Sequence, residues 1–120
     1  AVHFAGFLDQ AGKGREGNAA DIYLNTNRVD NSPVSVVEAC AMGLPVVATA
    51  VGGIPHLVAD GHNALLVPDG DHEAMAAAVE RLVREPELAC QLAARGRTLA
   101  QAADWARVRP QWESLISELQ

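Results

Sequence analysis

The sequence predicts an α/β fold in which a parallel sheet is flanked by helices. Three short apolar runs lie at Ile22–Asn25, Pro45–Thr49 and Ala64–Val67, and each is continuous rather than alternating in hydrophobicity. Strands of a parallel sheet that are covered on both faces have this pattern, so we expect all three to be inner strands. Helix-start and helix-end residues lie between these runs, as expected for alternating strands and helices.

Two further elements are expected near the start of the chain. Val2–Ala5 is a short strand candidate that Gly6 closes. Residues 9–18 are rich in glycine and polar side chains, which is typical of a flexible surface loop. Lys13 and Arg15 stand among these glycines, but the stretch lacks the Walker spacing, so a surface loop is favoured over a phosphate-binding loop.

A short helix is predicted between the first two inner strands. Pro33 suits a first helical turn, and Ser35 and Glu38 have the S-x-x-E spacing of a capping box. Gly43 is expected to end this helix. The residues Gly-Gly-Ile-Pro that follow the middle strand indicate a turn and then a second short helix at Pro55–Ala59.

Three helices are predicted after the last inner strand. Asp71 is expected to cap the first, which has a clear apolar face, and Pro86 to open the second. Asp104 is expected to cap the third, which Pro110 is expected to kink. The predicted buried side of this third helix comprises Trp105, Val108, Trp112, Leu115, Ile116 and Leu119.

Composition excludes several classes of protein. The 120 residues suffice for one small domain with a core, and no apolar run approaches the roughly 20 residues that span a bilayer. The net charge of -6 argues against nucleic-acid binding. Cys40 and Cys90 are too few for a disulfide scaffold, so a reducing cytosol fits best. The four histidines are His3, His56, His62 and His72. Neither they nor the two cysteines have metal-site spacing.

The start of the central helix is the candidate binding site. A helix N-terminus offers unpaired N–H groups and partial positive charge, which suit phosphate. Asp30 and Glu38 flank this helix start with seven residues between them, and carboxylates suit hydroxyl groups. A nucleoside diphosphate joined to a sugar offers both kinds of group. Structural alternatives remain, since Glu38 could simply bond the Ser35 N–H as a cap and Asp30 could form a turn.

The stretch from Asp30 to Pro55 resembles the donor-binding signature of family-4 (group 1) glycosyltransferases, which have the GT-B fold. That signature has two acidic residues with seven between them, a helix of small residues, then G-x-P-V-V-A-T and G-G-I-P. The similarity continues upstream and downstream over most of the chain. Asp30 departs from the usual Glu by one methylene, and His56 stands where relatives often have an acid.

The resemblance implies a Rossmann-like domain, the C-terminal half of a GT-B enzyme, with residues 1–120 lacking its first βα elements. It implies a retaining, metal-independent transfer of sugar from a nucleotide-sugar donor, without a cofactor. Asp30 would act beside the donor sugar as the catalytic residue, the N–H groups of Val34 and Ser35 would meet the distal phosphate, and Glu38 would bind the ribose. The acceptor, a sugar or glycolipid, would be bound through the N-terminal domain, in the cytoplasm or at the inner face of the membrane.

Two other functions remain open from the sequence. One is a GT-B relative with different chemistry, such as a sugar-nucleotide epimerase or a phosphorylase, since fold does not determine chemistry. The other is a non-catalytic Rossmann-like module that only binds or oligomerises. In each case we expect an unpaired strand edge, at Val2–Ala5 or Ile22–Asn25, to promote self-association.

Overall fold

The computed structural model describes residues 1–120 and contains six helices and three strands. In chain order these are α1 (Gln10–Ala19), β1 (Tyr23–Asn25), α2 (Val34–Ala41), β2 (Val46–Thr49), α3 (Ile54–Leu57), β3 (Leu65–Val67), α4 (His72–Arg84), α5 (Pro86–Ala102) and α6 (Trp105–Glu118).

The three strands form one parallel sheet in the order β1-β2-β3, which confirms the predicted fold class. In the register of the sheet, Leu24 is opposite Val47, and Ala48 is opposite Leu66. Only β2 has a strand on both sides, and all four of its residues are buried. β1 and β3 are therefore edge strands of this sheet, which corrects the expectation that all three would be inner strands.

The core lies on both faces of the sheet. Val46 and Ala48 of β2 pack with buried residues of α2 and α3 on one face, whereas Val47 packs with Leu82 of α4 and Leu92 of α5 on the other. Successive strand residues point to opposite faces, so a strand covered on both sides needs apolar residues at every position. This is the physical reason for the continuous apolar runs.

The start of the chain differs from the sequence-based expectation. Val2–Ala5 forms no strand, and the side chains of Val2 and Phe4 are exposed, because no neighbouring strand pairs with this segment. Residues 9–18 fall largely within helix α1 and are not a loop. The Asp9 carboxylate caps this helix by accepting a hydrogen bond from the Gly12 N–H at 2.7 Å.

The capping box predicted at the start of α2 is absent. Pro33 occupies the cap position, just before the first turn that we predicted for it, and no side chain caps the helix. Ser35 already lies inside the helix, too late in the chain to be a cap. The end of the helix is as predicted, since Gly43 has a φ of 77°.

The remaining helix boundaries agree with the sequence. Asp71 caps α4 by accepting from the Ala74 N–H at 2.8 Å, and Asp104 caps α6 by accepting from the Ala106 N–H at 3.1 Å. Pro86 lies at the start of α5. The short helix predicted at Pro55–Ala59 is α3, which begins and ends slightly earlier.

The buried face predicted for α6 is wrong for this chain. The helix runs through Pro110 without interruption, but none of its residues is buried, and Trp105 and Trp112 are 63% and 54% exposed. The apolar stripe is present, but no other element of the chain covers it. All six helices are too short or too polar to serve as a membrane span.

Candidate functional site

The loop that follows β1 is held against β2 by buried polar side chains. Asn25 and Thr49, at the carboxyl ends of β1 and β2, are the buried polar residues of the chain. The Asn25 side chain accepts from the Asn27 N–H at 3.1 Å, and the Thr49 hydroxyl donates to the Asn27 carbonyl. These bonds satisfy groups that would otherwise be costly to bury, and they position the segment that leads to Asp30.

Asp30 is half-buried and is anchored through both its side chain and its backbone. Its carboxylate accepts from the Asn27 side-chain amide at 2.8 Å, and its carbonyl accepts from the Gly53 N–H at 2.9 Å. The carboxylate thus bonds a neighbouring side chain rather than its own backbone, as the predicted Asp turn would have required. One carboxylate oxygen stays without a recorded partner in the chain.

The two glycines after β2 pack directly on this loop. A Cβ at Gly52 would lie 1.8 Å from the Asp30 carbonyl oxygen, and one at Gly53 would lie 2.0 Å from that of Asn31. A glycine after a strand can be required for a backbone angle or for space. The backbone angle applies to Gly52, with a φ of 53°, whereas Gly53 has a φ of -79° and is required only by the close approach.

The start of α2 faces an open groove of about 640 Å³. Val34 lines this groove, but its N–H donates to the Ser32 carbonyl at 2.8 Å. The N–H groups of Asn31, Ser32 and Ser35 donate to no acceptor in the chain. His56 also lines the groove and is exposed, so an imidazole faces the place where the sequence expected a phosphate.

Glu38 and Ser35 line a separate cavity of about 320 Å³ between α1 and α2. Its wall is mostly apolar and includes Tyr23 and Met42. The Lys13 ammonium lies 3.3 Å from each carboxylate oxygen of Glu38, and the two side chains are 45% and 32% exposed. The cavity therefore combines an apolar interior with a charged pair open to solvent.

The predicted site residues fall into three groups. Ser35 and Glu38 share the cavity, Val34 lines the adjoining groove, and Asp30 is among the lining residues of neither. Lys13 is the residue that the sequence interpretation missed, because its glycine-rich surroundings indicated a surface loop. The capping spacing of Asp9 and Gly12 could have indicated the helix that carries it.

The cysteines are free thiols with different environments. Cys40 is buried in α2, where a Cβ at Gly96 of α5 would lie 3.1 Å from its sulfur, and burial raises its thiol pKa above 9.0. Such a thiol stays protonated and is a poor nucleophile near neutral pH. Cys90 is exposed on α5. No group of three or more His, Cys, Asp or Glu side chains could hold a metal ion.

Comparison with known proteins gives a consistent result. Residues 1–85 match the sequence model of the family described as Glycosyl transferases group 1. The chain is similar to the phosphatidyl-myo-inositol mannosyltransferase of Mycobacterium leprae, with 35% identity over 111 residues. That alignment covers 92% of the chain and 30% of the relative.

Solved structures agree in fold. Sucrose-phosphate synthase from Thermosynechococcus elongatus superposes with a TM-score of 0.89 at 32% identity, covering 98% of the chain and 30% of that protein. Anabaena HepE in complex with UDP and glucose superposes with a TM-score of 0.85 at 26% identity, covering 98% of the chain and 32% of that protein. The chain thus spans about a third of the length of each of these proteins.

Proposed function

Because the chain belongs to the group 1 glycosyl transferases, we propose that it is the nucleotide-sugar-binding part of a retaining glycosyltransferase. Such an enzyme transfers a sugar from a nucleotide-sugar donor to an acceptor hydroxyl. The observation that carries the proposal is the arrangement along α2. Asn31 and Ser32, just before the helix, present free N–H groups in the groove. The first turns of α2 present Ser35, whose N–H is also free, and Glu38 at the adjoining apolar cavity.

The proposed donor lies along the first turns of α2. Its ribose hydroxyls donate to Glu38, and its base enters the apolar part of the 320 Å³ cavity, a volume at the small end of ligand pockets. The distal phosphate accepts from the Ser35 N–H and from the free N–H groups before the helix. Since the Val34 N–H already has an acceptor, it contributes only if the bond to Ser32 opens. The binding of UDP by HepE supports this class of ligand.

The proposed chemistry depends on electrostatics more than on proton transfer. The bond between the anomeric carbon and the distal phosphate oxygen breaks and leaves its electron pair on that oxygen. The acceptor oxygen bonds the anomeric carbon, and its proton passes to the departing phosphate. The start of α2, equivalent to roughly half a positive charge, stabilises the departing diphosphate. Asp30, held by Asn27 and with one oxygen free, orients the donor sugar as the catalytic residue. These roles need neither a metal ion nor a cofactor.

The acceptor and the place of action are further parts of the proposal. We infer that a sugar or glycolipid acceptor is bound by a second, N-terminal domain outside this chain. The free cysteines support a reducing compartment such as the cytoplasm, and a glycolipid acceptor would bring the enzyme to the inner face of the membrane.

The binding proposal is tested by ligand-observed NMR titration of the chain with UDP, GDP and ADP, each beside its monophosphate. We expect at least one diphosphate to bind, and to bind more tightly than its monophosphate. Glu38→Gln should lower the affinity for that diphosphate about 10- to 150-fold, because loss of a charge-assisted hydrogen bond costs roughly 1.5–3 kcal/mol. Glu73→Gln is the matched control, since Glu73 is exposed in the first turn of α4.

The outcomes of this titration distinguish nucleotide binding at the proposed site from binding elsewhere and from no binding. Binding that Glu38→Gln weakens and Glu73→Gln leaves unchanged supports the proposed site. Absence of binding by every nucleotide would indicate a non-catalytic module and would contradict the proposal. Binding that is insensitive to Glu38→Gln would retain a nucleotide-binding protein but would place the nucleotide elsewhere on the surface.

A further inference from the structure

Lys13 is the only lysine of the chain, and its single recorded side-chain partner is Glu38. The two residues are 25 positions apart, so the contact exists only because α1 packs beside α2. We propose that Lys13 is a positioning residue that holds the Glu38 carboxylate ready for the ribose of the donor. This inference rests on the proposed function and assigns Lys13 no direct contact with the nucleotide.

The geometry of the pair favours a positioning role. The Lys13 ammonium is 3.3 Å from both Glu38 oxygens, so it fixes the rotation of the carboxylate and leaves lone pairs on each oxygen for hydroxyl donors. Without this partner, the long Glu38 side chain would lose more rotamer freedom on binding. Holding it in place beforehand therefore improves affinity without any new contact to the ligand.

The same pair contributes little to the stability of the fold. Both side chains are partly exposed, and ion pairs of this kind contribute little to stability. α1 also contacts the segment that follows α2, since Gly17 lies against the Met42 sulfur. The ion pair is therefore not the sole contact that brings Lys13 to the cavity.

Charge in the cavity supports the inference. Glu16 lines the same cavity as Glu38 and is exposed, so two carboxylates and one ammonium face this space. Lys13 is the one positively charged side chain that lines the cavity, so it attracts the Glu38 carboxylate while Glu16 repels it. Both charges therefore favour one direction of the Glu38 side chain.

The test measures Lys13→Met and Lys13→Arg against two ligands, the tightest-binding nucleoside diphosphate and its 2′,3′-dideoxy analogue. We expect Lys13→Met to lower the affinity for the ribose nucleotide about three- to tenfold and to leave the affinity for the dideoxy nucleotide nearly unchanged. Lys13→Arg should retain the affinity of the unaltered chain for the ribose nucleotide. In the double variant with Glu38→Gln, the Lys13 change should have no further effect on the ribose nucleotide. Arg15→Met, at an exposed position of α1 with no recorded partner, is the matched control.

Two other results would overturn the inference. Equal weakening of the ribose and dideoxy nucleotides by Lys13→Met would show that Lys13 acts on another part of the nucleotide or on the fold. No change in either would show that the pair is incidental. If the unaltered chain binds no nucleoside diphosphate, both the proposed function and this inference are wrong. If the chain binds a nucleoside diphosphate and Lys13→Met does not change the affinity, only this inference is wrong.

A second readout needs no ligand. Reductive ¹³C-methylation preserves the charge and gives a single lysine resonance beside that of the N-terminal Ala1, because no other lysine is present. We expect Glu38→Gln to shift the Lys13 resonance and Glu73→Gln to leave it unchanged. A Lys13 resonance whose chemical shift is unchanged by Glu38→Gln would show that the pair does not form in solution.

Discussion

Replacing Gly53 by Ala should disturb the loop that carries Asp30. The added Cβ would lie 2.0 Å from the Asn31 carbonyl oxygen, and real Cβ atoms essentially never approach another atom within 3.0 Å. The backbone of residues 30–31 must therefore move by at least about 1 Å, an overpacking cost of roughly 1–3 kcal/mol. That movement also strains the 2.9 Å hydrogen bond from the Gly53 N–H to the Asp30 carbonyl.

The effect is measurable by thermal unfolding. For a chain of 120 residues, each kcal/mol shifts the melting temperature by roughly 4 °C, so Gly53→Ala should lower it clearly. Gly14→Ala is the control, because Gly14 lies inside α1 with no atom within 4 Å of the added Cβ, and it should stabilise by up to about 1 kcal/mol. A Gly53→Ala variant with the same melting temperature as the unaltered chain would refute the argument from close approach.

Four other predictions test separate parts of the structure. Glu38→Ala should weaken nucleotide binding by roughly 1.5–3 kcal/mol but lower the unfolding free energy by at most about 1, since it removes only an exposed ion pair; a collapsed melting temperature with unchanged affinity would contradict the binding role. Cys90 should react with a thiol reagent in the native chain and Cys40 only on unfolding. Because burial raises the pKa of Cys40 in the folded state, its thiol in the unfolded state ionises first as pH rises above 9.0. Denaturant unfolding at pH 8 and pH 10 should therefore show a loss of stability that Cys40→Ala reduces. Light scattering should show association of the chain, through the open edge of β1 or the exposed apolar face of α6, and a clean monomer at high concentration would contradict this.

The strands and most helix boundaries could be predicted from local patterns. Val46, Val47 and Ala48 of β2 are all apolar because helices cover both faces of the strand. Asp71 and Asp104 cap helices through bonds that span three and two residues. In each of these cases the interacting residues or the repeating pattern lie within a few positions of one another in the sequence. Such features can therefore be predicted from the sequence alone.

The errors arose where the deciding contact is distant in the chain. Glycines argued for a loop at residues 9–18, but these residues lie largely in α1, where Gly17 packs against the side chain of Met42 at the end of α2. The Lys13–Glu38 pair depends on the same packing. For α6, periodicity showed which face is apolar but could not show what covers it. The S-x-x-E spacing at Ser35 matched a common local motif, but the helix starts too early for Ser35 to serve as its cap.

The most direct test of the proposed site is a crystal structure of the chain with its tightest-binding nucleoside diphosphate. We expect the ribose hydroxyls within about 3.2 Å of the Glu38 carboxylate and the distal phosphate within about 3.2 Å of the Ser35 N–H. A nucleotide bound away from α2, or one whose phosphates lie in the cavity and whose base lies outside it, would contradict the proposed donor site.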